Sequence, residues 1–461
     1  MVPDPGAEPA PPRKRGTRSL SAQGQRGAII DGTSTAPLPR YLLPDSAQVD
    51  PSGALLVGGI DVLDLVREVG TPVFIYDEGH LRARCREARD AFGPRVAYAS
   101  KAFLCKAMAR LADEEGCCID VSTGGELTVA LAAGVPAERL VLHGNNKSEA
   151  ELERALSAGV GRIVVDSFDE IDRLARLSGR RRGEPLAGVL IRVTPGIEAH
   201  THEYVMTGQE DSKFGFGLMS GAAAEAAERL RHPVAGAHLL GLHAHIGSQI
   251  FSLDSFRRAL LALAPLCLEL ELDELCIGGG LGAPYVTGET APSITEWAQA
   301  VHQAAKEAGL PHRVVISAEP GRAIAAAAAI TCYTVGTIKE LPGLRTYVSV
   351  DGGMSDNPRP VLYGSGYEAF LPRATSAERP RRITVVGKHC ESGDVVIRDA
   401  RVPEDLAVGD VLATPVTGAY GRSMASNYNK VPRPPVVFVR DGGWRTVVRR
   451  ETYEDLLALD S

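Results

Sequence analysis

Eight short β-branched or apolar runs recur between residues 96 and 318, separated by stretches of helical character rich in Ala, Leu, Arg and Glu. The runs are Val96–Ser100, Cys118–Ser122, Leu140–Gly144, Arg162–Asp166, Gly188–Val193, Leu240–Ile246, Glu274–Gly278 and Val314–Ala318. Helices are predicted over Lys106–Glu115, Gly125–Ala133, Ser148–Ala158, Phe168–Ser178, Ser220–Leu230, Leu253–Glu271 and Thr295–Ala308, with one more, Gly79–Phe92, ahead of the first strand. Parallel strands need a crossover between them, and a helix after each strand supplies it. The count of eight favours a closed (β/α)8 TIM-like barrel over residues 78–325, with functional groups at the C-terminal strand ends. A doubly wound open sheet is the alternative.

Residues 326–461 read differently. Val and Thr alternate with polar residues, and turn signals recur at Asp351-Gly352-Gly353, Gly393-Asp394, Gly409-Asp410 and Asp441-Gly442-Gly443. This predicts a mostly antiparallel β-barrel domain. Residues 39–77 are also β-like, ending in Val73-Phe74-Ile75-Tyr76, and are expected to join it, making that domain discontinuous. Residues 1–38, rich in Pro, Gly, Ser and Arg, bury too little apolar surface to order and are expected to be a disordered tail without a secretory h-region. Residues 195–217, long and Gly-containing, are a candidate lid. The 50 Lys+Arg against 57 Asp+Glu leave a charge of −7, so no basic surplus seeks nucleic acid or an anionic membrane. No apolar run approaches the ~18 residues of a membrane span. Eight cysteines without a C-x-x-C pair indicate a reducing cytoplasm rather than a disulfide scaffold or zinc knuckle.

The chemistry-bearing residues sit where a barrel places function. Lys101 follows the first strand, where lost solvation is expected to lower its pKa and make it an amine nucleophile; the alternative is a surface lysine opening a helix. Gly278-Gly279-Gly280 follows the seventh strand and Glu319-Pro320-Gly321-Arg322 the eighth, the loops where such barrels hold phosphate. Glu319 beside a phosphate suits a ligand that also carries a cationic nitrogen. Pyridoxal 5'-phosphate (PLP) has both, and it needs a lysine for its Schiff base. His243 and His245 are spaced to share one strand face, but no third metal ligand accompanies them, so no metal is assigned. A histidine stacked on a cofactor ring is the better reading, with Ser248 in reach of phosphate. His143 ends the third strand, as pocket lining or a structural histidine. In the β domain, Cys390-Glu391 pairs a thiol with a carboxylate, suiting a proton donor and an amine-binding anion; a buried cysteine at a strand end is the alternative. The Gly-rich loops around Arg359 and Tyr420 are binding candidates.

Tyr98-Ala-Ser-Lys101-Ala, His245-Ile-Gly-Ser248-Gln, Gly278-Gly-Gly280, Glu319-Pro-Gly-Arg322, Cys390-Glu-Ser-Gly-Asp394 and Gly418-Ala-Tyr420, in this order, resemble the fold-type III PLP decarboxylases, and among them the diaminopimelate decarboxylases. The likeness covers about residues 40–455. It implies decarboxylation of meso-2,6-diaminopimelate to L-lysine and CO2, the last step of lysine biosynthesis, by a homodimer with shared active sites. By the same resemblance, Lys101 forms the Schiff base, His245 stacks on the ring and Glu319 pairs the pyridine nitrogen. Ser248, Gly278, Gly279, Gly280, Pro320, Gly321 and Arg322 surround the phosphate, and Tyr420 touches cofactor and substrate. Arg322, Arg359, Tyr363 and Glu391 meet the far end of the substrate, and Cys390, supplied by the partner subunit, reprotonates Cα. Rival readings are a decarboxylase for another amino acid, a racemase, and a catalytically dead PLP carrier.

Overall fold

A computed structural model of the chain describes residues 35–179, 187–197, 212–231 and 238–461. The predicted alternation folds into eight parallel strands: Ala97–Ala99, Cys118–Val121, Leu140–Leu142, Arg162–Val165, Gly188–Thr194, His238–His243, Glu274–Cys276 and Val315–Ser317. Each pairs with its neighbour in the sequence. The ring closes where the Ala97 N–H donates to the Ala318 carbonyl (3.0 Å) and the Ala99 N–H to the Pro320 carbonyl (3.1 Å). Helix boundaries follow local chemistry. Glu149–Ala158 starts at a Ser148/Glu151 capping box and stops at left-handed Gly159; Ile294–Glu307 starts at a Ser293/Glu296 box. The helix ahead of the barrel, Glu78–Phe92, packs into the outer ring, with Phe92 edge-on to Trp297 at 4.9 Å.

Small apolar side chains fill the barrel: Ala97, Cys118, Val141, Val164, Leu190, Leu240 and Cys276. Below them Arg162 and Glu274, the first residues of the fourth and seventh strands, meet across the interior. The fully buried Glu274 carboxylate accepts from Arg162 (2.7 Å), Arg95 (2.6 Å) and Ser317 (2.8 Å).

The expected β-barrel domain takes the form of a mixed, mostly antiparallel sheet of eight strands. Ala329–Leu341 is its spine, pairing antiparallel with Val73–Asp77, Arg345–Val350 and Val411–Pro415. Val73–Asp77 also pairs parallel with Val436–Arg440, so the sheet takes strands from both sides of the barrel segment. Residues 39–77 are not all β. Val62–Val69 is a helix, because Asp61 caps the Leu63 and Asp64 N–H groups and Val62, Leu65 and Val66 bury one face. The expected tail lies outside the described residues except for 35–38, which are held: Arg379 donates to the Thr35 and Ala36 carbonyls. Most of the candidate lid, 198–211, also lies outside them.

The barrel floor generates a prediction. Glu274→Ala leaves Arg162 buried without its carboxylate, and removing one partner of a buried pair costs about 3–5 kcal/mol. Urea unfolding should show that loss with an unchanged slope; a loss under about 1 kcal/mol would mean the pair is not what holds the floor.

Candidate active site

Lys101 sits in a single turn, Ser100–Ala102, directly after the first strand. Its Nζ lies 3.9 Å from the Asp120 carboxylate, which projects from the second strand. The lowered pKa expected for Lys101 is not found. Burial works against the ammonium, but Asp120, then Tyr420 and Glu319, outweigh it and hold the pKa above its ordinary value. The side chain is 43% exposed to the barrel mouth, so water supports the charge as well.

Glu319 follows the eighth strand and is anchored by its own N–H, which donates to the Gly278 carbonyl at 2.7 Å. Its carboxylate binds two imidazoles: His143 Nε2 lies 2.8 Å from Oε1, and His243 Nε2 lies 3.0 Å from Oε2. Burial pushes this carboxyl up, yet the two histidines overcome it and hold it well below the usual range. Two strand ends, the third and the sixth, thus converge on the last one.

The predicted His243/His245 face does not form. The sixth strand ends at His243, so strand alternation does not reach His245. His245 instead accepts the Gly279 N–H on Nδ1 (3.2 Å), which puts its proton on Nε2. Burial, with Lys101 and Arg192 nearby, keeps it neutral, well below its ordinary pKa. His143 and Glu319 join His243 as a potential three-ligand group, which the sequence reading lacked. The glycine run is dictated by packing as well as by any ligand. A Cβ on Gly278, Gly279 or Gly280 would lie 2.3, 2.3 or 2.4 Å from the carbonyl oxygens of Ala244, Glu319 and Gly247.

Arg322 is buried and donates to Ser248 Oγ (2.8 Å) and to the Tyr285 hydroxyl (2.6 Å), with its guanidinium 4.8 Å from the Tyr420 ring centroid. Tyr420 belongs to the β domain but reaches the barrel: its N–H donates to the Ala102 carbonyl (2.8 Å), with φ at +62°. A non-glycine side chain is strained in that region, so the surrounding packing has to hold it there. Arg359, also buried, donates to the Tyr367 hydroxyl at 2.5 Å. Tyr363 is half-buried at the end of the same short helix, Arg359–Tyr363. Cys390 and Glu391 lie exposed on the turn after Arg381–Val386, where the Cys390 N–H donates to Asn429 (2.9 Å). Of the eight cysteines it alone is exposed, which sets aside the buried-cysteine alternative.

Sequence reading missed Asp120, Tyr285, Tyr367 and the role of His243. Asp120 left a signal, an acid inside the apolar run Cys118–Val121. The two tyrosines left none, because a phenol in a Gly- and Pro-rich loop looks like any loop aromatic.

Three buried polar atoms around the mouth have no hydrogen-bond partner among the described residues: Asp120 Oδ2, His243 Nδ1 and Arg322 Nε. Such atoms are costly unless a polar ligand meets them. A carboxylate bound by two imidazoles keeps lone pairs for a pyridinium N–H, and Arg322 with Ser248 beside a glycine loop suits a phosphate. With an amine after the first strand, the residues fit PLP. Fold and site thus define a barrel-type PLP enzyme.

The family model "Pyridoxal-dependent decarboxylase, pyridoxal binding domain" matches residues 78–326. The diaminopimelate decarboxylase of Halalkalibacterium halodurans is 46% identical over 429 residues, covering 90% of this chain and 97% of that protein. That of Bacillus subtilis is 45% identical, covering 91% and 98%. The crystal structure of diaminopimelate decarboxylase from M. jannaschii with L-lysine superposes with a TM-score of 0.83 at 31% identity, covering 90% and 98%. The chain belongs to the diaminopimelate decarboxylase family, and its cofactor is PLP.

The loop that leads to Arg359 generates a pH prediction. Burial, outweighing bonds from Tyr333 (2.5 Å) and the Gly353 N–H (2.8 Å), pushes Asp356 up to about 7 from 3.8. The folded chain therefore binds this proton more tightly than the unfolded one. Its contribution to stability falls as pH rises from about 4 to about 7, and is flat above. Asp356→Asn should flatten that part of a denaturant-midpoint profile; an unchanged slope would assign it to another group.

Proposed function

We infer that the chain decarboxylates meso-2,6-diaminopimelate to L-lysine and CO2, the last step of lysine biosynthesis. The observation that carries the substrate is the buried Arg359 guanidinium, which has no carboxylate beside it among the described residues. The far end of diaminopimelate carries a carboxylate as well as an ammonium, and a guanidinium fork matches the first. An ornithine decarboxylase would leave Arg359 unpaired.

Bound PLP supplies a pyridinium that accepts the electron pair left on Cα when CO2 departs. The protein's residues do the rest. Lys101 holds the cofactor covalently and gives way to the substrate amine. Glu319, kept anionic by His143 and His243, keeps the ring nitrogen protonated. Neutral His245 offers a flat, uncharged face for stacking. Gly278, Gly279, Gly280, Ser248, Pro320, Gly321 and Arg322 receive the phosphate, and Tyr420 contacts cofactor and substrate. Arg322, Arg359, Tyr363 and Glu391 read the distal end, Glu391 taking its ammonium. Cys390 returns one proton to Cα. Its exposure on a turn of the β domain suits service in trans, so the active unit is a homodimer in which Cys390 of the partner subunit completes each site. The enzyme works in the cytoplasm. Among the described residues no helix is long and apolar enough to cross a membrane.

The PLP-loaded protein should release CO2 and L-lysine from meso-diaminopimelate, and no CO2 from L-ornithine, L-lysine or L-arginine. Release from another amino acid would overturn the substrate; no release at all would favour a racemase or carrier. Lys101→Ala should lose the absorbance at roughly 420 nm of lysine-held PLP, and an unchanged band would refute its assignment. Glu391→Gln should raise KM for diaminopimelate about ten-fold or more with PLP occupancy intact, because a charged hydrogen bond is lost. Equal loss of both would remove its substrate role.

A further inference from the structure

Arg322 and Arg359 are 9% and 5% exposed, and neither has a carboxylate within ion-pair distance among the described residues. Buried cations normally bring their anion with them. Here two phenols take that place. Tyr285 serves both arginines: its hydroxyl accepts from Arg322 at 2.6 Å, and its ring centroid lies 4.0 Å from the Arg359 guanidinium. Tyr367 accepts from Arg359 at 2.5 Å and stands perpendicular to Tyr285, with centroids 5.3 Å apart at 81°. Both rings are buried, at 3% and 4% exposure. Burial pushes the Tyr367 phenol up to about 12 against the pull of Arg359, so it stays neutral at physiological pH.

We propose that Tyr285 and Tyr367 are positioning residues that set substrate selectivity by holding Arg322 and Arg359 as fixed cations without neutralising them. A carboxylate at either phenol position would satisfy its arginine internally and cancel the field. A phenol orients the guanidinium through one hydrogen bond and a ring face, and leaves the charge for a ligand. The pocket then favours a substrate ending in a carboxylate and repels one ending only in an ammonium. Tyr285 is the shared element, because one ring touches the arginine assigned to the phosphate and the arginine assigned to the distal carboxylate. This rests on the reading of Arg359 as the distal carboxylate site.

The geometry separates the two phenols experimentally. Tyr367→Phe removes only the hydroxyl on Arg359. It should raise KM for diaminopimelate about ten-fold, leave kcat and PLP retention within two-fold, and lower the preference for diaminopimelate over L-ornithine. Tyr285→Phe removes only the hydroxyl on Arg322 and keeps the ring beneath Arg359. It should speed PLP loss on dialysis, followed by absorbance, with a smaller rise in KM than Tyr367→Phe gives, because Arg322 also borders the distal end of the substrate. Tyr285→Leu removes both contacts and should change both readouts. A purely structural role would lower both readouts together in each Phe variant, and that pattern overturns the proposal, as do two Phe variants indistinguishable from wild type. Wild-type CO2 release from diaminopimelate is measured alongside. Its absence would refute the substrate reading itself, whereas its presence with unaltered Phe variants would refute only the role of the tyrosines.

Discussion

Two backbone hydrogen bonds decide where the chemistry can occur. The Ala97 and Ala99 N–H groups, on the first barrel strand, pair with the Ala318 and Pro320 carbonyls beyond the eighth. Closing the ring there brings the turn of Lys101 beside the loop of Glu319, residues 218 positions apart in the sequence. The seam has no slack. A Cβ on Gly321 would lie 2.9 Å from the Ala99 Cβ, so the loop behind Glu319 packs directly onto the strand that presents Lys101. An open sheet that kept the same sequential strand order would leave these residues on opposite edges, with no shared site.

Electrostatics at the mouth follows from what each strand end delivers. Glu319 is buried, and burial alone pushes its pKa up. The imidazoles of His143 and His243 reverse that. Lys101 is a cation because Asp120 and Glu319 face it. An amine in apolar surroundings would lose its proton more readily; these partners keep this one charged. His245, enclosed by the cations of Lys101 and Arg192, is neutral for the opposite reason. Three residues in similar settings, each two positions past the end of a strand, thus hold three different charge states because of what lies across the ring.

That dependence explains what the sequence revealed. Periodicity is local, so eight strands, their helices and the position of Lys101, Glu319 and the glycine run were legible. Charge states and partners are not local. The pKa of Lys101 departs from the local expectation because Asp120 comes from the next strand, and His243 and His245 do not share a face because the strand stops at His243. The helix Val62–Val69 reads as part of a β-like segment because it is only eight residues long and its one local start signal is the cap, Asp61. Tyr367, whose phenol meets Arg359, carries no local mark that separates it from the other loop tyrosines.

The β domain supplies what a barrel alone lacks, and it does so as a connected unit. The buried Asp394 carboxylate accepts from the Met354 N–H (2.7 Å), the His389 N–H (2.9 Å) and the His389 ring at 2.8 Å. Gly353 and Gly387 make room for it: a Cβ on either would lie 2.6 or 2.1 Å from its oxygens. One carboxylate therefore ties the turn of Cys390 and Glu391 to the loop that leads to Arg359. Tyr420, held in a left-handed conformation by the Ala102 carbonyl, ties the same domain to the turn of Lys101. Arg359 and Glu391, the two groups assigned to opposite charges of one substrate end, thus each sit on a loop that this framework holds in place. Pre-organising both lowers the ordering entropy that binding must offset, which is what lets a small, highly charged substrate be read by a few residues.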